Sequence, residues 1–372
     1  MKKITIFTLN MDFGGIEKYV ATLAETLCND FKIEIISTYD TGNVAFEIPK
    51  NVSVKYLIHE KPDTVSLKKM LRSLNFVGFF KELKRRRKLR RYEDELSREV
   101  IENLDSDIVI TVRIMHSLLV GKYCKNDSIL KIATEHNFHQ NNQSYIDSVV
   151  ESVKGFDYLI LPTEELRDSY SCLIGDTKCL VMSIPLTYIP KKKSQLMSKN
   201  IISIGRFSPE KGFLDLVEIM DEVNKIDKDI KLFLIGDGYQ NSQIQKKIDE
   251  LDLRHCIETP GFLKQQEMSK YFLDSSLYVL SSITEAFGLV LIEAMSYGLP
   301  CVAFDSASGA RELLKDDIGI LIKDRNKEEM ASMIIELVND KKKLKEMQKN
   351  LESFMGEFTI EKSRTRWLEL LK

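Results

Sequence analysis

The sequence predicts an α/β protein built on parallel sheets with helices on both faces, and three observations lead there. Short apolar runs of strand length alternate with helical patterns along the chain: ITIFTL, IEIIS, VSVKYL, DIVITV, KIAT, DYLIL and CLVM, then IISIG, IKLFLI, LYVLSS, CVAF and GILI. Continuous apolar strands separated by helices belong to sheets covered on both sides. The length of 372 residues suffices for two substantial cores. Finally, MSIPLTYIPKKKSQLMSKN, with Pro185, Pro190 and a Lys triplet, interrupts the alternation between the two sets of strands. The expected division is residues 1–185 as a first domain, 186–199 as linker, 200–355 as a second domain and 356–372 as a closing helix.

Composition narrows the function classes. The chain is 43% hydrophobic and 30% charged, with a formal net charge of −2. That balance implies no bulk affinity for nucleic acid or acidic polymers. Cys28, Cys124, Cys172, Cys179, Cys256 and Cys301 are scattered without a CxxC, several in apolar runs, which suits small core hydrophobes in a reducing cytosol. His136 and His139 lack further ligands at a metal-site interval, so no metal is expected. MKKITIFTLNMDFGG has too short an apolar stretch for a signal peptide and reads as a first strand, and no run approaches the roughly 18 apolar residues of a spanning helix. A cytoplasmic protein is the expectation.

The most informative stretch is TEAFGLVLIEAMSYGLP, which follows the buried run SLYVLSS. It reads as strand, loop and a helix beginning near Ala286 or Phe287. Free N–H groups at that helix start, around Phe287, Gly288 and Leu289, suit a diphosphate, helped by the helix dipole and by the missing Cβ of Gly288. Glu285 and Glu293 flank this point and, counted along a helix, stand roughly 12 Å apart, about the span from a hexose to a ribose across a pyrophosphate. Glu293 sits among neighbours so apolar that its carboxylate is expected to be buried and to have a role.

A second feature is NIISIGRFSPEKG, in which a strand ending at Ile204 or Gly205 runs into a turn carrying Arg206 and Lys211. In open α/β sheets that C-terminal edge is where ligands bind. A guanidinium fork and an ammonium point charge together suit a departing nucleotide diphosphate.

Together these residues resemble the retaining glycosyltransferases of family 4, with their GT-B architecture of two facing Rossmann-like domains and a deep interdomain cleft. Glu285 and Glu293 stand at that family's E-x7-E positions and Arg206 and Lys211 at its basic pair, while LFLIGDGYQ, TPGFL and YGLPCVAFD follow in the family's order. The resemblance implies that Glu285 holds the donor hexose and Glu293 the ribose. Base contacts come from backbone near Gly261 and Phe262. Gly14 and Gly15, in ITIFTLNMDFGGIEKYVATLAETL, let backbone approach the donor phosphates. KIATEH ends a strand near Thr134, and by resemblance His136 sits across the cleft from Glu285 near the transferred sugar. The final helix, around FTIEKSRTRWLELL, crosses back to the first domain with Trp367 as anchor. The implied reaction moves a hexosyl or N-acetylhexosaminyl unit from a nucleotide-diphosphate sugar, UDP-linked by expectation, to a glycan or lipid-linked saccharide acceptor in bacterial cell-surface polysaccharide biosynthesis. It needs no metal or other cofactor.

One local charge bias remains. Residues 81–91, KELKRRRKLRR, hold eight basic side chains and one acid, Glu82, just after the aromatic NFVGFF. Phe79, Phe80, Lys84, Arg85, Arg86, Arg87, Lys88, Arg90 and Arg91 describe a surface for anionic lipid headgroups and a peripheral place on the inner membrane face. The alternative is a solvated helix whose stripe of Leu89, Tyr92, Leu96 and Val100 packs on the sheet. A nucleic-acid role for the run would leave the C-terminal half unexplained, so no nucleic-acid partner is expected. A dinucleotide enzyme is disfavoured because LFLIGDGYQNS lacks the third glycine of the fingerprint. A sugar-nucleotide epimerase or a non-catalytic nucleotide-sugar-binding module of the same fold stands as the alternative.

Overall fold

The computed structural model describes residues 1–59, 76–139, 141–306, 308–315 and 318–372. Asn75 of the aromatic stretch and Gln140 after His139 lie outside the described residues. The chain divides into two compact units, Met1–Leu161 with Arg167–Val181, and Pro162–Leu166 with Met182–Lys372.

The first unit is a parallel sheet of seven strands in the order β3-β2-β1-β4-β5-β6-β7. The strands are β1 (Lys3–Thr8), β2 (Lys32–Tyr39), β3 (Ser53–Ile58), β4 (Ile108–Thr111), β5 (Leu130–Thr134), β6 (Tyr158–Leu161) and β7 (Lys178–Val181). Ile4, Ile6, Ile35, Val109, Ile110 and Ile132 are sealed from solvent, as expected where helices cover both faces. Strand order reverses between β1 and β4, which places the loops after these two strands at a topological switch point, the crevice where open α/β sheets take ligands.

The second unit repeats the plan with a parallel six-stranded sheet, β10-β9-β8-β11-β12-β13. Its strands are β8 (Asn200–Ile204), β9 (Lys231–Ile235), β10 (Ile257–Gly261), β11 (Leu277–Leu280), β12 (Cys301–Phe304) and β13 (Gly319–Ile322). Here the reversal falls between β8 and β11. Strand β10 is the one the apolar pattern misses. IETPG carries little apolar signal and contains Pro260, and its pairing with β9 slips between Glu258 and Gly261. An edge position tolerates both the proline and the slip. Trp367, on the closing helix Ile360–Leu371, is buried, and Arg366 beside it donates to Ser183 Oγ at 3.0 Å.

Residues Phe76–Glu102 form a single helix of 27 residues. The apolar stripe of the alternative reading is partly covered: Leu89, Leu96 and Val100 are half-buried and Tyr92 is 50% exposed, while Glu82, Ser97 and Ile101 are buried. Tyr123 Oη donates to Asp94 at 2.7 Å, and Glu82 accepts from Arg85 Nε and Arg86 Nε at 2.8 and 2.9 Å. Phe80 is 66% exposed, Phe79 half-buried, and Lys84, Arg87, Lys88, Arg90 and Arg91 are exposed. Among the described residues no helix is long and apolar enough to cross a membrane.

Candidate active site

In the second unit, chemistry gathers at the C-terminal ends of β8 and β11. After β8 the chain turns through a single 3-10 turn, Pro209–Lys211, and leaves it at Gly212 with φ 65 to begin the helix Phe213–Ile226. Gly212 is demanded twice over. Its φ is left-handed, and a Cβ there would lie 2.2 Å from the Ser281 carbonyl oxygen. The β11 loop is stitched to this turn by Ser281 Oγ donating to the Lys211 carbonyl at 2.8 Å and by Ile283 N donating to the Glu210 carbonyl at 2.8 Å.

These stitches bring Lys211 Nζ to 2.5 Å from Glu285 Oε2, with the two side chains 21% and 18% exposed. Ser282 Oγ adds a long contact of 3.5 Å to the same carboxylate oxygen. Arg206 is exposed at the start of the turn. Two groups 74 residues apart, each singled out by its place beyond a strand's C-terminal end, thus meet in space.

The helix after β11 begins later than its sequence suggests. It spans Leu289–Ser296, and Gly288 precedes it with φ 86 and ψ 55. Ala286 and Phe287, buried at 7% and 5%, belong to the loop. The cause is a close approach from below. Gly309 N donates to the Glu285 carbonyl at 3.2 Å, and a Cβ on Gly309 would sit 2.2 Å from the Phe287 carbonyl oxygen. The loop is pressed flat there, and only the left-handed turn at Gly288 releases it into a helix. Glu285 thus precedes the helix, so its distance from Glu293 is not a count along one helix. Glu293 is half-buried instead of buried, between the buried Ile292 and Ala294. At the far end of the sheet, Gly261 closes β10 with φ 82, open space lies where its Cβ would be, and Phe262 is 54% exposed.

In the first unit, the corresponding edge carries Gly14, Gly15 and His136. Gly14 is extended, with φ 175, a backbone any residue adopts. Gly15 starts the helix Gly15–Leu27, and nothing stands within 4 Å of where its Cβ would be. Lys18, one turn on, has its ammonium pushed down to about 8 by burial.

His136 lies two residues beyond β5. Its Nε2 is 2.7 Å from Thr134 Oγ1, and its ring stands 4.3 Å from that of Tyr19 at 56°. Burial, and then the nearby Arg113 guanidinium, push the imidazole down to about 3, so it is neutral near pH 7. The peptide N–H groups of His136 and Asn137 both donate at 2.7 Å to Glu135 Oε1, which also accepts from Tyr145 Oη at 2.9 Å. Burial raises the Glu135 pKa.

Arg113, just after β4, pairs with the buried Glu17 at 2.6 Å. Sequence reasoning missed Arg113, Glu17 and Tyr19, although an Arg directly beyond the run DIVITV is the same signal that picked out Arg206. His139 is a structural residue. It is buried, stacks on Phe138 at 5.2 Å and accepts from Asn141 N through Nδ1.

Both units are doubly wound parallel sheets, and in the second an ammonium, a carboxylate and a glycine-led helix start gather at the switch point. Comparison with known proteins refines the class. Residues 187–354 match the family model described as glycosyl transferases group 1. The chain is 28% identical over its full length to an uncharacterized glycosyltransferase of Haemophilus influenzae, all of which is covered. It is also 28% identical, over 94% of this chain and 93% of the relative, to the N-acetylgalactosamine-N,N'-diacetylbacillosaminyl-diphospho-undecaprenol 4-alpha-N-acetylgalactosaminyltransferase of Campylobacter jejuni.

In fold it is similar to a TarM variant of S. aureus solved with Fondaparinux, alpha-GlcNAc-glycerol and UDP. The TM-score is 0.79 at 17% identity, covering 100% of this chain and 99% of that one. The fold is that of GT-B glycosyltransferases, and both the Haemophilus and the Campylobacter relatives carry the name of glycosyltransferases.

Proposed function

We propose that this chain is a retaining, metal-independent glycosyltransferase of family 4. It moves a hexosyl or N-acetylhexosaminyl unit from a UDP-linked donor to a hydroxyl of a glycan or lipid-linked saccharide in bacterial cell-surface polysaccharide biosynthesis. The observation that carries this reading is the Lys211–Glu285 pair at the C-terminal edge of β8 and β11. A diphosphate satisfies the ammonium and sugar hydroxyls satisfy the carboxylate. The name of the Campylobacter relative, an acetylhexosaminyl transferase acting on a diphospho-undecaprenol saccharide, favours the acceptor class.

On this reading Lys211 and Arg206, with the free N–H groups where the helix Leu289–Ser296 begins, take the charge that develops on the leaving diphosphate. These fixed cations and dipoles supply what a metal supplies in other transferases. Glu285 orients the hexose, Glu293 the ribose, and backbone at Gly261 and Phe262 the base. Gly14 and Gly15 give phosphate oxygens access to backbone. His136, neutral near pH 7, orients reacting groups as a hydrogen-bonding imidazole and does not act as a cationic acid.

The anomeric C–O bond breaks with its electron pair leaving on the diphosphate. The acceptor oxygen attacks from the same face, and its proton passes to the departing phosphate oxygen. The exposed Phe80 and its neighbouring cations serve as a contact with anionic lipid that brings the enzyme to a lipid-linked acceptor.

A thermal-shift panel of UDP, GDP, ADP and dTDP with EDTA present tests the donor half. A cognate diphosphate at a hundred times its Kd stabilises by about 2.7 kcal/mol. If none of the four raises the melting temperature of the folded protein, the reading fails. Release of labelled sugar from UDP-GlcNAc or UDP-GalNAc onto a lipid-linked saccharide, with inversion or retention read by NMR of the product, tests the transfer.

A further inference from the structure

We propose that Arg325 is a positioning residue that holds the loop bearing Glu285 and the turn bearing Lys211 in register, an inference that rests on reading those two side chains as the donor site. Arg325 follows β13, and both it and Asp324 adopt left-handed backbone, with φ 51 and 52. Side chains other than glycine enter that region at a cost, so two in succession require compensation from their surroundings.

The compensation is in the guanidinium. Arg325 Nη1 donates to the Ser282 carbonyl at 2.9 Å and makes a longer contact of 3.4 Å with Ser306 Oγ. Nη2 donates to Asp215 Oδ2 at 2.6 Å and to the Ser281 carbonyl at 3.2 Å. The plane lies 4.3 Å from the centroid of the Phe304 ring.

One side chain therefore ties together three segments. Ser281 and Ser282 begin the loop that ends in Glu285. Phe304 and Ser306 mark the end of β12. Asp215 is in the first turn of the helix that follows Lys211 and Gly212. Ser281 is one of the links between the turn after β8 and the loop after β11, because its hydroxyl holds the Lys211 carbonyl and its own carbonyl oxygen occupies the space a Cβ on Gly212 would need. Arg325 Nη2 sits 3.1 Å from that same Cβ position. Only a planar fork of donors can serve two successive carbonyls and a carboxylate at once, and a lysine offers one centre in place of three.

The test compares R325K and R325G with wild type. R325K retains a charge for Asp215, and R325G relieves the left-handed backbone, so neither depends on the other to give a folded protein. Affinity is measured for whichever of UDP, GDP, ADP and dTDP stabilises the wild type, with and without Lys211→Ala, alongside amide hydrogen exchange. The expected result is a ten- to a hundredfold weaker diphosphate affinity, on the order seen for small misplacements of binding groups. Exchange should quicken over residues 281–288 while β8 and β9 keep their protection. In the Lys211→Ala background the Arg325 effect should shrink, because the group being positioned is gone.

Wild-type affinity and exchange in both folded variants would overturn the inference, as would an Arg325 effect fully additive with Lys211→Ala. If Lys211→Ala binds as wild type, or no diphosphate binds at all, the donor-site reading falls and takes this inference with it. If Lys211→Ala weakens binding and the Arg325 variants do not, the site stands and the positioning role alone is rejected.

Discussion

Lys211 Nζ lies 2.5 Å from Glu285 Oε2, so the two side chains assigned to diphosphate and hexose are each other's ion-pair partner. Donor binding on this reading is an exchange, in which a phosphate oxygen replaces a carboxylate at the ammonium and sugar hydroxyls replace the ammonium at the carboxylate. Removing Lys211 leaves a half-buried carboxylate facing the diphosphate, and Lys211→Ala should lower kcat/KM on the order of a hundred- to a thousandfold with the fold intact. Near-normal turnover would reject the assignment.

The exchange makes an unusual demand on Glu285. In Glu285→Gln the competitor for Lys211 is neutral, so the sugar-free diphosphate should bind at least as tightly as to wild type while sugar transfer falls. Calorimetric titration with UDP and a transfer assay on one preparation would separate the two effects. A clear loss of UDP affinity would place Glu285 on the nucleotide, not on the hexose.

Glu293→Ala should act on the nucleotide. Hydrogen bonds to a charged group contribute about 1.5–3 kcal/mol, so UDP affinity should drop by about tenfold or more. Unchanged affinity would remove the ribose role.

Gly309 presses on the Phe287 backbone, where a Cβ would come within 2.2 Å of a carbonyl oxygen. Gly309→Ala must move the loop that carries Glu285. Destabilisation of ~1–3 kcal/mol is expected from overpacking, together with loss of turnover in the protein that remains folded. A stable, fully active variant would show that this loop has freedom the geometry denies it.

His116 and His136 are both pushed down to about 3, chiefly by burial. A depressed imidazole stays neutral in the fold, while the unfolded chain takes up protons once the pH falls below about 6.5. Their contribution is therefore whole above that pH and declines as pH drops towards 3, each with a slope of up to ~1.4 kcal/mol per pH unit. Urea unfolding between pH 7 and pH 4 should be less acid-sensitive in His116→Gln than in wild type. Equal slopes would mean the His116 ring is not held neutral.

Glu82 accepts from Arg85 and Arg86, which leaves Arg87, Arg90 and Arg91 as the better targets for a lipid test. Their joint replacement by Ser should reduce sedimentation with phosphatidylglycerol vesicles and leave UDP affinity unchanged. Full sedimentation would dispose of the membrane role for this helix.

Most of the strands were legible because each is a short apolar run, and so were Lys211 and Glu285, because strand ends and glycine turns announce a ligand edge. What was not legible depends on distant partners. The start of the helix at Leu289 is decided by Gly309, not by the residues near Ala286. The hydrogen bond that Tyr123 donates to Asp94 of the helix Phe76–Glu102 joins residues 29 apart. Arg325 looks like an ordinary surface cation in sequence, and its partners stand 110 and 43 residues away.

The rim of the second sheet has a bearing on how the protein behaves in company. Pro260 withholds an N–H from β10 and the slip between Glu258 and Gly261 breaks the ladder's repeat. A strand from another molecule arriving at that rim finds no regular row of donors and acceptors to zip onto. The same irregularity that hid β10 from its sequence makes this one edge a poor template for a strand from a second molecule.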